Sequence, residues 1–138
     1  MRKKINLYSI RLILLIYSTF IHFSCNNNSS YKIKFNCENK KKVNHLTIFF
    51  EEYFNEDTIY VMIDNKTVYK NIVSSSLSLS LADYFEINNF YKKNNFYIII
   101  NKHKIKINPK KICGKVLIVN YINDTIFIEN KDTPNLYY

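Results

Sequence analysis

Glycine occurs once in this chain, at Gly114, and its scarcity excludes whole classes of chemistry. Phosphate-cradling loops, dinucleotide-binding fingerprints and nucleophile elbows need closely spaced glycines, because the backbone there turns sharply or runs against a ligand. Tryptophan is absent, which weakens any sugar-stacking platform. Alanine, the strongest helix former, is nearly absent as well, so long helices are not expected. There is no Cys-x-x-Cys and no paired histidine spacing, the usual zinc ligand patterns. The acidic cluster Glu51, Glu52, Glu56 and Asp57 lacks the alternating oxygen ligands and sharp-turn glycine of a calcium loop. Ser74, Ser75 and Ser76 have no recognisable base or oxyanion donor near them in sequence. The chain therefore reads as a non-enzyme, with no metal and no cofactor.

What is present favours strands. The 138 residues suffice for one domain, and the apolar positions are mainly Ile, Val, Phe and Tyr, which suit a pleated, half-buried surface. Asn and Lys are so abundant that a biased genome composition explains much of them, which lowers their weight as functional signals. From Leu46 onward, short apolar runs are broken every 8–12 residues by Asn, Asp or Lys, the spacing of a sandwich or barrel. Residues 58–64 alternate, with Ile59, Val61 and Ile63 on one face and Tyr60, Met62 and Asp64 on the other. A hairpin is predicted at Asn65-Lys66 with a return strand 67–73. Others are predicted at Asn101-Lys102, joining 96–101 to 103–107, and at Asn123-Asp124, joining 115–122 to 125–129. Asn tolerates the left-handed conformation these turns need and takes the place of glycine. Strands over 46–53 and 77–87 complete the expectation, the latter with a short helical turn at 82–86 as the alternative. The fold class expected is all-β, a small antiparallel β-sandwich of seven or eight strands.

The amino terminus has a different character. Arg2, Lys3, Lys4 and Arg11 precede the apolar run Leu12 to Phe23, which is shorter than the roughly 20 residues of a spanning helix. The run ends Phe20-Ile21-His22-Phe23-Ser24-Cys25. This segment resembles the signal peptides of bacterial lipoproteins, in particular the Phe-x-Phe-Ser-Cys endings of Bacteroidota lipoproteins, although His22 stands where leucine is usual. The resemblance implies cleavage before Cys25 and lipidation of its sulfur, and hence a lipid anchor. The organisation expected is a signal peptide over 1–24, a lipidated Cys25 with a flexible polar tether over 25–45, and a sandwich over 46–138. The layout is similar to transthyretin-like and immunoglobulin-like lipoprotein modules in architecture alone, and fold analogy does not carry function.

An exported chain sets the terms for the remaining features. Removing residues 1–24 takes away four positive charges and no negative ones, lowering the net charge from +9 to +5. Such an excess points to anionic lipid or envelope polymer before nucleic acid. Cys37 and Cys113 are left as an even pair in an oxidising compartment, where a disulfide and two separate thiols are the alternatives. Lys102, Lys104 and Lys106 alternate opposite His103, Ile105 and Ile107, so they form either a contact for anionic surfaces or a solvated face that discourages edge pairing. Tyr53, Phe54, Tyr91, Phe96 and Tyr97 offer a sugar platform or ordinary core and edge packing. His45 and His103 read as surface residues. The function expected is a non-enzymatic binding or structural module of the cell envelope, lipid-anchored to the inner or outer membrane, facing the periplasm and partnered by an envelope protein or anionic polymer. The alternative is a glycan-binding accessory lipoprotein using exposed tyrosines.

Overall fold

A computed structural model describes residues 30–36, 42–76, 78 and 80–135. The signal segment, Cys25, Cys37 and the Tyr137-Tyr138 terminus lie outside the described residues, as do Leu77 and Leu79. Among the described residues nine strands are formed: β1 Ser30–Phe35, β2 His45–Phe50, β3 Asp57–Ile63, β4 Lys66–Val73, β5 Asp83–Asn88, β6 Phe96–Ile100, β7 His103–Ile107, β8 Val116–Ile122 and β9 Thr125–Lys131. They make two sheets, a five-stranded one in the order β1-β9-β8-β2-β5 and a four-stranded one in the order β4-β3-β6-β7. The architecture is a β-sandwich.

Period-two alternation builds its core. Leu46, Ile48 and Phe50 of β2, Leu117 and Val119 of β8, and Ile126 and Ile128 of β9 face Ile59, Val61 and Ile63 of β3, Ile98 and Ile100 of β6, and Ile105 and Ile107 of β7. Each fully buried aliphatic or aromatic side chain contributes roughly 1.5–3 kcal/mol relative to exposure. Asparagine does make the turns. Asp64-Asn65 and Asn123-Asp124 have positive φ at both positions and Asn101 at one, whereas no glycine does. The first hairpin thus turns at Asp64-Asn65, one residue before the expected pair, and β4 starts at Lys66. Gly114 is needed for closeness rather than for φ: a Cβ there would lie 2.2 Å from the carbonyl oxygen of Lys131.

Three expectations are corrected. The stretch 25–45 is not all tether, because residues 30–35 form β1, parallel to β9, with Ile33 and Phe35 packed against the core. Its three lysine and serine positions hide a Tyr31-Ile33-Phe35 alternation. The strand count among the described residues is accordingly nine rather than seven or eight. The sandwich is also not purely antiparallel, since β2 runs parallel to β8. Parallel neighbours require long crossovers, and here the chain visits the other sheet twice between them, so hairpin signals could not reveal the pairing. The stretch 83–88 is strand β5, with no helical turn in it.

Candidate functional site

The two ends of the sandwich differ in charge. Where β1 begins, the chain also makes the β6–β7 and β8–β9 turns, the loop 51–56 and the stretches 74–76 and 80–82. Hydrogen bonds knit this end: the Asn101 side-chain amide donates to Asp57 Oδ1 at 2.7 Å, and the Tyr121 hydroxyl donates to Asp124 Oδ1 at 2.9 Å. Glu52, Glu56, Asp57, Asp83 and Asp124 gather here, with Lys102 as the opposing charge among the described residues. The opposite end holds the close of β1, residues 42–44, and two single-turn 3-10 segments, Phe90–Lys92 and Pro109–Lys111. Lys42, Lys66, Lys92, Lys93, Lys110, Lys111, Lys115 and Lys131 lie at that end, against Asp64 and Asp132 among the described residues.

A cleft of about 670 Å3 opens in the basic end. Its lysines are Lys42, Lys92, Lys93, Lys110 and Lys111, no carboxylate lines it among the described residues, and Phe35, Tyr91 and Pro109 supply apolar surface beside Val43, Phe90 and Ile112. Val43, Phe90 and Ile112 are buried. Asn89, at φ 53°, lets the chain leave β5 directly into the first 3-10 turn, and the Phe90 amide donates to the Asn44 carbonyl at 3.0 Å. Asn108 caps the second turn by accepting from the Lys110 amide at 3.0 Å, with Pro109 preset for the turn that follows. The ion pairs among the described residues, Lys34–Glu129 and His45–Glu86, involve none of these lysines. Asp64, near Lys93, has its carboxylate held by the amides of Asn94 and Asn95, which together with Lys93 keep it below the usual carboxylate range. A smaller cleft of about 380 Å3 between β4 and β5 mixes Asp64 and Glu86 with Lys66 and Lys93, so its charges are balanced. Sequence spacing missed the basic cleft because its lysines come from three separate segments.

The expected site residues are distributed as follows. Lys104 and Lys106 do project from one face of edge strand β7, but Lys102 belongs to the turn before it. Both strand lysines stand over the Tyr97 ring, with ammonium to centroid distances of 4.5 and 5.9 Å, and Lys70 stands over Tyr60 at 5.3 Å. The aromatic platform is not assembled, because Phe54 and Phe96 are core residues while Tyr53 and Tyr91 lie at opposite ends. His103 is not a surface residue either: it points inward with Ile105 and Ile107, and its ring is 6.2 Å from that of Tyr121. His45 is half-exposed and bonds Asn88 Oδ1 at 2.8 Å through Nδ1.

The acids and serines near residues 51–57 are structural. Ser75 accepts from the Phe54 amide and donates to the Glu51 carbonyl, and Ser74 accepts from the Glu56 amide at 2.8 Å. Glu51 is buried under the chain that follows β9, where the Asn135 amide donates to both of its carboxylate oxygens at 2.9 Å. Among the described residues, no group of three or more His, Cys, Asp or Glu could hold a metal ion. None of their helices is long and apolar enough to cross a membrane.

Cys113 lies in the wall of the basic cleft, and its position is set by Asn130 of β9. The Asn130 carbonyl oxygen of the side chain accepts from the amides of Cys113 and Gly114 at 2.8 and 3.0 Å, and Cys113 Sγ lies 3.4 Å from it. The Asn130 side-chain amide donates to the carbonyls of Gly114 and Val116 at 2.9 and 2.8 Å. The main-chain carbonyl of the same residue accepts from the Asn36 amide at 2.8 Å.

No known family model, curated protein or solved structure matches this chain.

Proposed function

We propose that the protein is an exported, lipid-anchored module of the cell envelope that binds through its basic end and carries out no catalysis. The carrying observation is the direction of the first strand. β1 begins at Ser30, five residues after Cys25, and begins at the acidic end of the sandwich. Five residues reach at most about 18 Å when fully extended. A lipid on Cys25 would therefore hold the acidic end near its membrane and present the lysine-ringed cleft outward. The short reach replaces the twenty-residue tether expected from composition, and makes the presentation directional. The lipobox-like ending at Cys25 supports export, and the charge separation supports an anionic partner such as an envelope polymer or the acidic surface of an envelope protein. The alternative of a glycan-binding accessory module using exposed tyrosines loses its shared plane, because Tyr53 and Tyr91 lie at opposite ends and Tyr60 and Tyr97 carry lysines over their rings.

The test is metabolic labelling with radiolabelled palmitate. Label is expected in the wild type and lost in Cys25→Ser, with the variant released from the membrane fraction and still folded. Equal labelling of both proteins would remove the anchor.

A further inference from the structure

We propose that the cleft at the basic end binds a small anionic amphiphile, with its apolar body against Phe35, Tyr91 and Pro109 and its carboxylate or phosphate head among the lysines. This inference takes from the proposed function only the direction in which the cleft faces, and its chemistry stands without the anchor.

Three observations select this ligand class. The volume, about 670 Å3, falls in the range of roughly 300–1,000 Å3 typical of small-molecule sites. The charge is one-sided: Lys42, Lys92, Lys93, Lys110 and Lys111 line the cleft, with no carboxylate among its described lining residues. An anion among these lysines would be attracted by each of them, and the apolar surface beside them favours a ligand with an apolar body over a bare inorganic ion. The set of walls is the third. The end of β1, residues 42–43, and the segments 90–94 and 109–113 all border the cleft, so a compact anionic group would meet several elements of the fold at once.

The experiment is lysine footprinting on the full chain, in zwitterionic nanodiscs where it is membrane-bound and in buffer where it is not. A water-soluble acetylating reagent is applied with and without decanoate, decyl maltoside or inorganic phosphate, and each lysine is read by mass spectrometry. Decanoate is expected to protect Lys92, Lys93, Lys110 and Lys111 while leaving Lys66 and Lys102 unchanged, and decyl maltoside and phosphate are expected to protect none. The exposed double variant Lys110→Gln/Lys111→Gln should weaken protection of Lys92 and Lys93 by decanoate about thirtyfold at low salt. Its far-ultraviolet circular dichroism should match the wild type. Failure of decanoate to protect the cleft lysines would overturn the proposal, and so would equal protection by phosphate, which would reveal a simple anion site. Equal protection by decyl maltoside would overturn the role of the charge. None of these readings depends on lipidation, so the palmitate experiment can fail while this one succeeds.

Discussion

At the scale of single residues, Asn130 ties β9 to two other parts of the chain. It is fully buried and its side chain satisfies backbone groups of Cys113, Gly114 and Val116. Asn130→Ala should cost about 3 kcal/mol or more, because each buried backbone group stripped of its partner carries a desolvation penalty of roughly 1–3 kcal/mol. The measurement is a urea midpoint at unchanged slope. Gly114→Ala should destabilise too, since the new methyl must displace the Lys131 main chain, and Gly114 can now be understood as a packing glycine. A pH effect belongs to Tyr69 and Asp83, which join β4 to β5 across the open side of the sandwich by a 2.5 Å hydrogen bond. Burial raises the Tyr69 phenol above its ordinary value and Asp83 reinforces this. At Asp83, burial pulls upward but the Tyr69 hydroxyl, the Asn71 side chain and the Tyr84 amide outweigh it and hold the carboxyl below the usual range. A depressed carboxyl contributes stability above about pH 4 that is lost as pH falls through its folded value, and a raised phenol contributes stability that is lost as pH climbs above about 10. Tyr69→Phe should therefore flatten both limbs of a stability curve measured by urea unfolding from pH 2.5 to 11. Unchanged acid and alkaline slopes would show that the pair does not couple to folding.

At the scale of elements, what local pattern could show and what it could not are separated by β1 and the three hairpins. The hairpins β3–β4, β6–β7 and β8–β9 were legible because alternation and an asparagine turn sit within about twenty residues of one another, and Ile59, Val61 and Ile63 face inward as the pattern requires. β1 was not, because its lysines and serine resemble tether and its partner β9 lies about ninety residues away. His103 was misjudged for a related reason: its polarity outweighed its place in the same alternation as Ile105 and Ile107, which decides burial on a strand. The basic cleft had no local signal at all, since folding alone brings Lys42 beside Lys92 and Lys110. If β1 is an integral strand, Ile33→Ser/Phe35→Ser should lower stability by about 2 kcal/mol or more, because both side chains pack against the core. A tether segment would tolerate the change within about 0.5 kcal/mol. On β7, Lys104→Val/Lys106→Val should promote association through the exposed edge, seen as concentration-dependent light scattering, while the monomeric fold is retained.

At the scale of the whole molecule, the first and last described strands are neighbours, and their C-terminal ends are joined near the basic cleft through Asn130. The Asn36 amide donates to its main-chain carbonyl, and the Cys113 amide to its side chain. Cys37 follows Asn36 directly, so a Cys37–Cys113 bridge would close at the residue that already gathers both segments. We therefore keep the disulfide as a proposal, on that convergence and on the oxidising compartment implied by export. Closing a loop of about 75 residues should stabilise by roughly 4 kcal/mol, chiefly by restricting the unfolded chain. It would also fasten the wall of the cleft, since Cys113 and Phe35 both line it. Material prepared from an oxidising compartment should therefore show Cys37 and Cys113 resistant to alkylation until reduced, and reduction should lower the urea midpoint. Reduction should weaken decanoate protection of Lys110 and Lys111 before it unfolds the sandwich, because the cleft wall loosens while the inward-facing rows of β2, β3, β6 and β8 are untouched. Alkylation of both cysteines in unreduced protein would remove the bridge and leave Asn130 alone to hold the two segments together.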